Sequence, residues 1–386
     1  MRFIATADWQ LGMTARFLGD EARARFHQAR LDAVRRIGEV AVETEASFVV
    51  VCGDVFESNQ LDRAIIAKTF EALRAFPVPV VLLPGNHDPL DAASIYDARA
   101  FLDRVPDHVH VLRDAAPFTV VEGAEIVGAP WFGKHPTRDL VADACSGLLP
   151  TPDGVVRVIA GHGVASTLNP DRDALAAIDV PTLTKVLDGG CAHVAVLGDR
   201  HSTTEIEPRI WYAGAPEVTA RVEDDPGNVL VVDVDPGSRD VSVVRRRVGR
   251  WSFDVVEERL DSLEDVHRLA DRLRAIPDKE RHAIWLALVG TLSTSSKASL
   301  DSALDDAGDL FAHLDLWERH TDLAVLPDDH DFADLGLSGF AQAALDELTA
   351  QARSEAAAHE VSGEAGPETV AQDALSLLYR LAGARR

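Results

Sequence analysis

The chain has 386 residues, a formal net charge of -25, 46% hydrophobic and 26% charged content, and three cysteines. That is a globular composition on a chain too long for one ordinary core, so two or three domains are expected. The charge counts against autonomous, tight nucleic-acid binding, and the widely spaced Cys52, Cys145 and Cys191 against a disulfide framework or a thiolate zinc site.

The opening residues contain no basic stretch followed by an apolar core. No apolar run nears the roughly 18–20 residues of a membrane span, so the cytoplasm is the expected compartment. Residues 2–7 read as a buried strand and 20–45 as a long helix, with apolar positions at helical spacing. FVVVCGD at 48–54 reads as a strand feeding a loop, 61–75 as a helix, and PVPVVLLPGNHD at 77–88 as strand then loop. Further strands are predicted at 109–112, 118–121, 125–128, 155–160, 193–197, 210–213 and 229–234. Early strands alternate with helices and later ones crowd together, which favours two mixed sheets packed face to face. The pattern breaks near 245–250. A small α+β module in βαβα order follows, with its second helix at 299–318. Helical segments are expected over 339–358 and again to about 382, separated by VSGEAGPE. The expected domains are thus 1–248, 249–326 and a helical tail at 327–386.

Five segments place polar, metal-capable side chains just after strand patterns: Asp8-Trp9-Gln10, Gly53 to Glu57, Gly85-Asn86-His87-Asp88, Gly161-His162-Gly163 and Gly198-Asp199-Arg200-His201. A phosphodiester resists attack by water, and two divalent ions roughly 3.5–4 Å apart clamp its oxygens and activate a water. Such a pair needs a shared carboxylate with O and N ligands around it. Glycines let those ligands approach closely.

In order and spacing these blocks resemble the calcineurin-like metallophosphoesterases, whose pattern is D-x-H, G-D-x-x-[DE], G-N-H-[DE], G-H and G-H-x-H. The fold implied is a four-layer sandwich of two mixed β-sheets with flanking helices, followed here by a small α+β capping domain and a helical tail. The resemblance implies one ion held by Asp8, Gln10, Asp54 and His201, and a second held by Asp54, Asn86, His162 and Asp199. It gives His87 the role of acid or phosphate stabiliser and Asp88 that of orienting it. Gln10 and Asp199 stand where the family has histidines. Harder oxygen ligands favour manganese or magnesium over zinc. Arg200 is left to pair with Asp199 or to face a substrate phosphate.

The D-x-Q-L-G opening, the G-D-V-F-E-S block and VGAPWFGKHP at 127–136 resemble the SbcD-type DNA repair exonucleases. That resemblance implies DNA as substrate, an SMC-like ATPase of the SbcC type as partner, and a homodimer. Arg16, Arg23, Arg25, Arg30, Arg35 and Arg36, with Arg245, Arg246, Arg247 and Arg250, are a candidate phosphate-facing surface. A cyclic-nucleotide or small-molecule phosphodiesterase and a catalytically weak scaffold remain as alternatives.

Overall fold

A computed structural model describes residues 1–169, 171, 174–326, 339–348, 350–351 and 374. The chain divides into two compact units, Met1–Phe253 and Asp254–Arg386.

In chain order the first unit carries β1 (Arg2–Thr6), α1 (Asp20–Glu43), β2 (Val49–Cys52), α2 (Arg63–Leu73), β3 (Val80–Leu83), α3 (Arg99–Leu102), β4 (Val109–Val111), β5 (Phe118–Val121) and β6 (Ala124–Gly128). It continues with α4 (Leu140–Cys145), β7 (Val156–His162), α5 (Val180–Asp188), β8 (Val194–Gly198), β9 (Thr204–Glu207), β10 (Ile210–Tyr212), β11 (Asn228–Val234) and β12 (Val241–Arg247). Two six-stranded sheets result, in the orders β12-β11-β1-β2-β3-β4 and β5-β6-β7-β8-β10-β9.

Strand periodicity builds the layers. Phe3, Ala5, Val50, Cys52, Val81 and Leu83 face inward and meet Ile126, Val158, Ala160, Val194 and Val196 of the other sheet. The alternate residues Ile4, Val49, Val51, Val80 and Leu82 face outward, under Val34, Ile37 and Ala41 of α1 and Ile66 and Phe70 of α2. On the far side Val127, Ile159, Ala195 and Leu197 lie under α4 and α5. The expected four-layer arrangement is the one observed.

Several elements, α3, α4 and α5 among them, go beyond the sequence-based expectation, and three other differences are instructive. No strand is expected at β9, and β12 extends as an edge strand through the arginines at 245–247, where the pattern looks broken. Both are edge strands with many exposed positions, so they lack the apolar run that marks an inner strand.

The third difference is in the second unit, formed by β13 (Ser252–Leu260), α6 (Leu263–Ala275), β14 (His282–Ser293), α7 (Thr294–Gly308), β15 (His313–Leu316) and β16 (Asp322–Leu326). The helix expected across 299–318 ends at Gly308, and the chain returns as β15, parallel to β14. Leu286, Leu288, Leu292, Leu300 and Phe311 share its core with Leu269 and Leu273 of α6. Residues 340–348 are helical. The remaining expected tail helices lie outside the described residues.

Candidate metal centre

β1, β2 and β3 run parallel, as do β6, β7 and β8. The two sets meet at their carboxyl ends, where His162 at the end of β7 hydrogen-bonds through Nδ1 to the Cys52 carbonyl at the end of β2, 2.9 Å away. Asp8, Asp54, Asn86 and Asp199 follow β1, β2, β3 and β8 on the same edge.

The backbone there is strained. Asp8, Gln10, Asp54 and Asp199 have φ of 53°, 41°, 53° and 89°, in the left-handed region. Such residues cost on the order of 1–3 kcal/mol each and persist only where their surroundings enforce them. Two glycines explain the tight approach. A Cβ on Gly53 would lie 2.1 Å from His162 Nδ1, and one on Gly85 2.2 Å from Asp54 Oδ1.

Asp8, Asp54 and His162 are all buried and bring ligand atoms within 4.8 Å of one another. Asp8 also accepts the Asp199 amide N–H, at 3.0 and 3.2 Å from its two oxygens. Burial pushes the Asp8 carboxyl up to about 7, against the pull of His201 and His162. Burial opposes a charge on His162, yet Asp54, Asp8 and Asp199 raise it to about 10. Carboxylates crowded in this way favour a positive charge among them.

Hydrogen-bond chemistry says what kind of charge. A carbonyl oxygen can only accept, so His162 Nδ1 carries a proton, and Nε2 presents a lone pair whenever the ring is neutral. That lone pair faces Asn86 Oδ1 at 2.7 Å, Asp54 Oδ2 at 3.5 Å and Asp199 Oδ1 at 3.7 Å. The same end of the Asn86 amide lies 3.0 and 3.2 Å from the two Asp54 oxygens. Without a cation, the amide must turn over and donate, or the ring must take a second proton. With one, every acceptor is satisfied as it stands. The donor set therefore fits a divalent metal.

The second candidate set lies around His201. Its Nδ1 is 2.9 Å from Glu223 Oε1 and also meets Thr219 Oγ1, while Nε2 lies 3.2 Å from the Gln10 amide nitrogen. A carboxylate behind an imidazole fixes the tautomer that ligates through Nε2. Gln10 turns its nitrogen, not its oxygen, toward His201, so it must rotate before it can act as a ligand. Glu223 and Thr219 lie about 20 residues downstream of His201 in a loop, and nothing in the sequence marks them.

The calcineurin-like phosphoesterase family matches residues 1–185 of this chain. Residues 1–185 thus carry a calcineurin-like phosphoesterase domain. The chain is, accordingly, a metal-dependent hydrolase of phosphate esters. The match ends before Asp199 and His201, so those residues rest on their geometry beside Asp8 and His162.

Among curated relatives, the SbcD component of the nuclease SbcCD from Rhodobacter capsulatus is 26% identical over 353 residues, covering 79% of this chain and 84% of that protein. Solved structures similar to the chain include TT1561 of Thermus thermophilus, 10% identical with a TM-score of 0.38, covering 64% of this chain and 98% of that one. A dimetal phosphatase from Danio rerio is 12% identical with a TM-score of 0.40, covering 64% and 96%.

Other residues of the phosphoesterase depart from expectation. The His87 amide N–H donates to Asp54 Oδ1 at 2.9 Å, and Nδ1 donates to the Glu57 carbonyl at 3.0 Å. That leaves Nε2 bare, 3.9 Å from Asp54 Oδ2, on a half-exposed ring. Asp88 does not hold this ring. Its buried carboxylate accepts the Gly85 and Phe56 amide N–H groups and the Tyr96 hydroxyl, at 2.8, 3.0 and 2.6 Å. It braces the loop that carries Asn86 and His87. A second carboxylate, that of Glu57, lies equally near the His87 ring, its Oε1 3.9 Å from Nδ1 and its Oε2 buried without a hydrogen-bond partner. Glu57 is visible in the sequence as the last residue of its block, but its type alone gives it no role.

Arg200 Nε donates to Thr204 Oγ1 at 2.9 Å rather than pairing with Asp199. Trp9 is buried, with its indole N–H on Thr6 Oγ1, so it packs and offers no platform to a base. The arginine surface is largely neutralised. Arg23, Arg25, Arg35 and Arg36 pair with Asp20, Glu21, Asp32 and Glu39 or Glu43 on α1 itself, and Arg245 pairs with Asp225. Arg30 is buried, while Arg16, Arg246 and Arg250 are exposed.

Proposed function

We propose that this phosphoesterase hydrolyses phosphodiester bonds of DNA, using two divalent ions, manganese or magnesium, held by Asp8, Gln10, Asp54, Asn86, His162, Asp199 and His201. The observation that carries the reading is the cluster of acceptors around Asp54. His162 Nε2 and the Asn86 side-chain amide both turn toward its carboxylate. A buried carboxylate shared between two ligand sets is what a pair of ions needs. Asp54 is the bridging ligand in this reading.

When bound, the ions supply Lewis acidity to the phosphoryl oxygens and lower the pKa of water. The protein's own groups do the rest. The Cys52 carbonyl and Glu223 fix the His162 and His201 tautomers. Bare Nε2 of His87 donates a hydrogen bond or proton to the phosphate or leaving oxygen once the ring is protonated. The Glu57 carboxylate flanks that ring, 3.9 Å from Nδ1. Asp88 keeps the Gly85–Asp88 turn rigid. Arg200, half-buried beside this edge, has guanidinium N–H groups beyond Nε for a phosphate. Oxygen at positions 10 and 199 favours hard ions.

DNA is favoured by the likeness to a nuclease component over most of both chains, and by the second α+β unit, which a small-molecule esterase does not require. An SMC-like ATPase of the SbcC type and a second copy of this chain are the proposed partners. The nearly neutralised arginine face fits a DNA contact shared with such a partner. The pairs on α1 are exposed, each worth about 0–1 kcal/mol, so phosphates can compete for them.

The test is incubation with manganese and labelled linear duplex DNA, single-stranded DNA and a cyclic nucleotide. Cleavage of DNA supports the reading. Cleavage of the cyclic nucleotide alone assigns a small-molecule phosphodiesterase, and binding of DNA without cleavage under any metal assigns a scaffold.

A further inference from the structure

Arg30 sits on α1 at helical spacing from Phe26 and Val34, inside the apolar face, and only 2% of it is exposed. Burying a cation is costly unless its partners are well placed, and a methionine or leucine would fill this face without that cost. Its partners are two backbone carbonyls. Nη2 donates to the carbonyl of Trp9, and Nη1 to that of Val218 at 3.1 Å. The Phe26 ring lies 5.5 Å from the guanidinium carbon.

One carbonyl adjoins candidate ligands and the other adjoins a residue that holds one. Trp9 stands between Asp8 and Gln10, the two residues of the first block with left-handed backbone. Val218 precedes Thr219, which with Glu223 grips Nδ1 of His201. Glu217, 1% exposed, is the nearby counter-charge. Its carboxylate accepts the amide N–H groups of Val218, Arg250 and Trp251, at 3.2, 3.0 and 3.0 Å. One buried guanidinium therefore joins the peptide groups behind two separate loops, and Glu217 ties the second loop to the chain at 250–251.

We propose that Arg30 is a positioning residue. It sets the spacing between the Asp8–Gln10 loop and the loop that orients His201, and so controls the affinity of the ion held between them without touching it. A lysine cannot replace it, because a single ammonium lacks the planar fork that reaches two divergent carbonyls. This inference rests on the metal-centre reading of the preceding subsection.

The experiment measures manganese binding to the full chain by calorimetry and by the loss of the free-ion paramagnetic resonance signal. Wild type, Arg30→Lys, Arg30→Ala and Val34→Ala are compared, with unfolding of each followed in chelator. Changes behind metal ligands typically weaken affinity about 10–100-fold. That loss is expected for Arg30→Lys at one ion, while Val34→Ala, destabilised on the same helix face, keeps wild-type affinity. Guanidinium ion at a non-denaturing concentration is expected to restore part of the affinity of Arg30→Ala. Should neither Arg30 variant fold, Glu217→Gln, which keeps the volume and removes the counter-charge, is expected to show the same selective weakening. Wild-type affinity in whichever of these variants folds, or an equal loss in Val34→Ala, overturns the proposal. If the wild type itself binds no manganese, the metal-centre reading has failed instead, so the two failures are distinguishable.

Discussion

Replacing Asp88 with Asn separates a loop brace from a catalytic partner. The carboxylate accepts three buried hydrogen bonds, with Gly85 N–H on Oδ1 and both Phe56 N–H and the Tyr96 hydroxyl on Oδ2. Asparagine offers one acceptor and one donor. If its oxygen takes the Oδ2 place, its NH₂ faces the Gly85 N–H, and a buried donor is stranded at about 1–3 kcal/mol. The two bonds that survive lose their ionic character, worth roughly a further 1 kcal/mol. The expected destabilisation is therefore about 2–4 kcal/mol, read as a lowered urea midpoint with an unchanged slope. Burial pushes the Asp88 carboxyl up to about 6, so the comparison belongs at pH 8, where the carboxylate is charged. At a temperature where the variant is folded, hydrolysis should fall only a few-fold. A variant of wild-type stability whose turnover falls 100-fold or more would refute the brace and restore Asp88 as the partner of His87.

Three further outcomes are expected. His87→Asn should lower turnover about 10²–10⁴-fold, the usual range for a general acid, while calorimetric manganese affinity stays unchanged. Glu57→Gln should cut activity less than His87→Asn, because its carboxylate only flanks the ring, 3.9 Å from His87 Nδ1; wild-type activity in the variant would remove Glu57 from the site. Away from the site, burial and then Arg239 lower the His193 pKa from 6.5 to about 4. The unfolded chain takes up that proton near 6.5 while the folded chain resists it until about 4, so His193 makes stability decline as pH falls through that window. Urea midpoints of wild type and His193→Asn against pH should show the decline reduced in the variant.

The inner strands were legible because β-branched runs at 49–52, 80–83 and 156–160 end in glycine and a polar residue, and both of their faces are buried. The edge strands β9 and β12 were not, since exposure removes the alternation. In the second unit α7 and β15 merge into one expected helix, because HLDL reads equally well with either period. The ligand-bearing residues were visible from their order in five blocks. Their supports were not. Glu223 and Thr219 are ordinary loop residues until the chain folds back on His201. Arg30 reads as one of a group of surface arginines, although its place four residues from both Phe26 and Val34 already sets it on the apolar face.

The most direct test of the central claim is release of labelled nucleotide from linear duplex DNA by wild type and by Asp54→Asn, each titrated with manganese. The account predicts manganese-dependent release by wild type, abolished by chelator and lost in Asp54→Asn at every manganese concentration. Equal release by Asp54→Asn, or release by wild type that survives chelator, would contradict it.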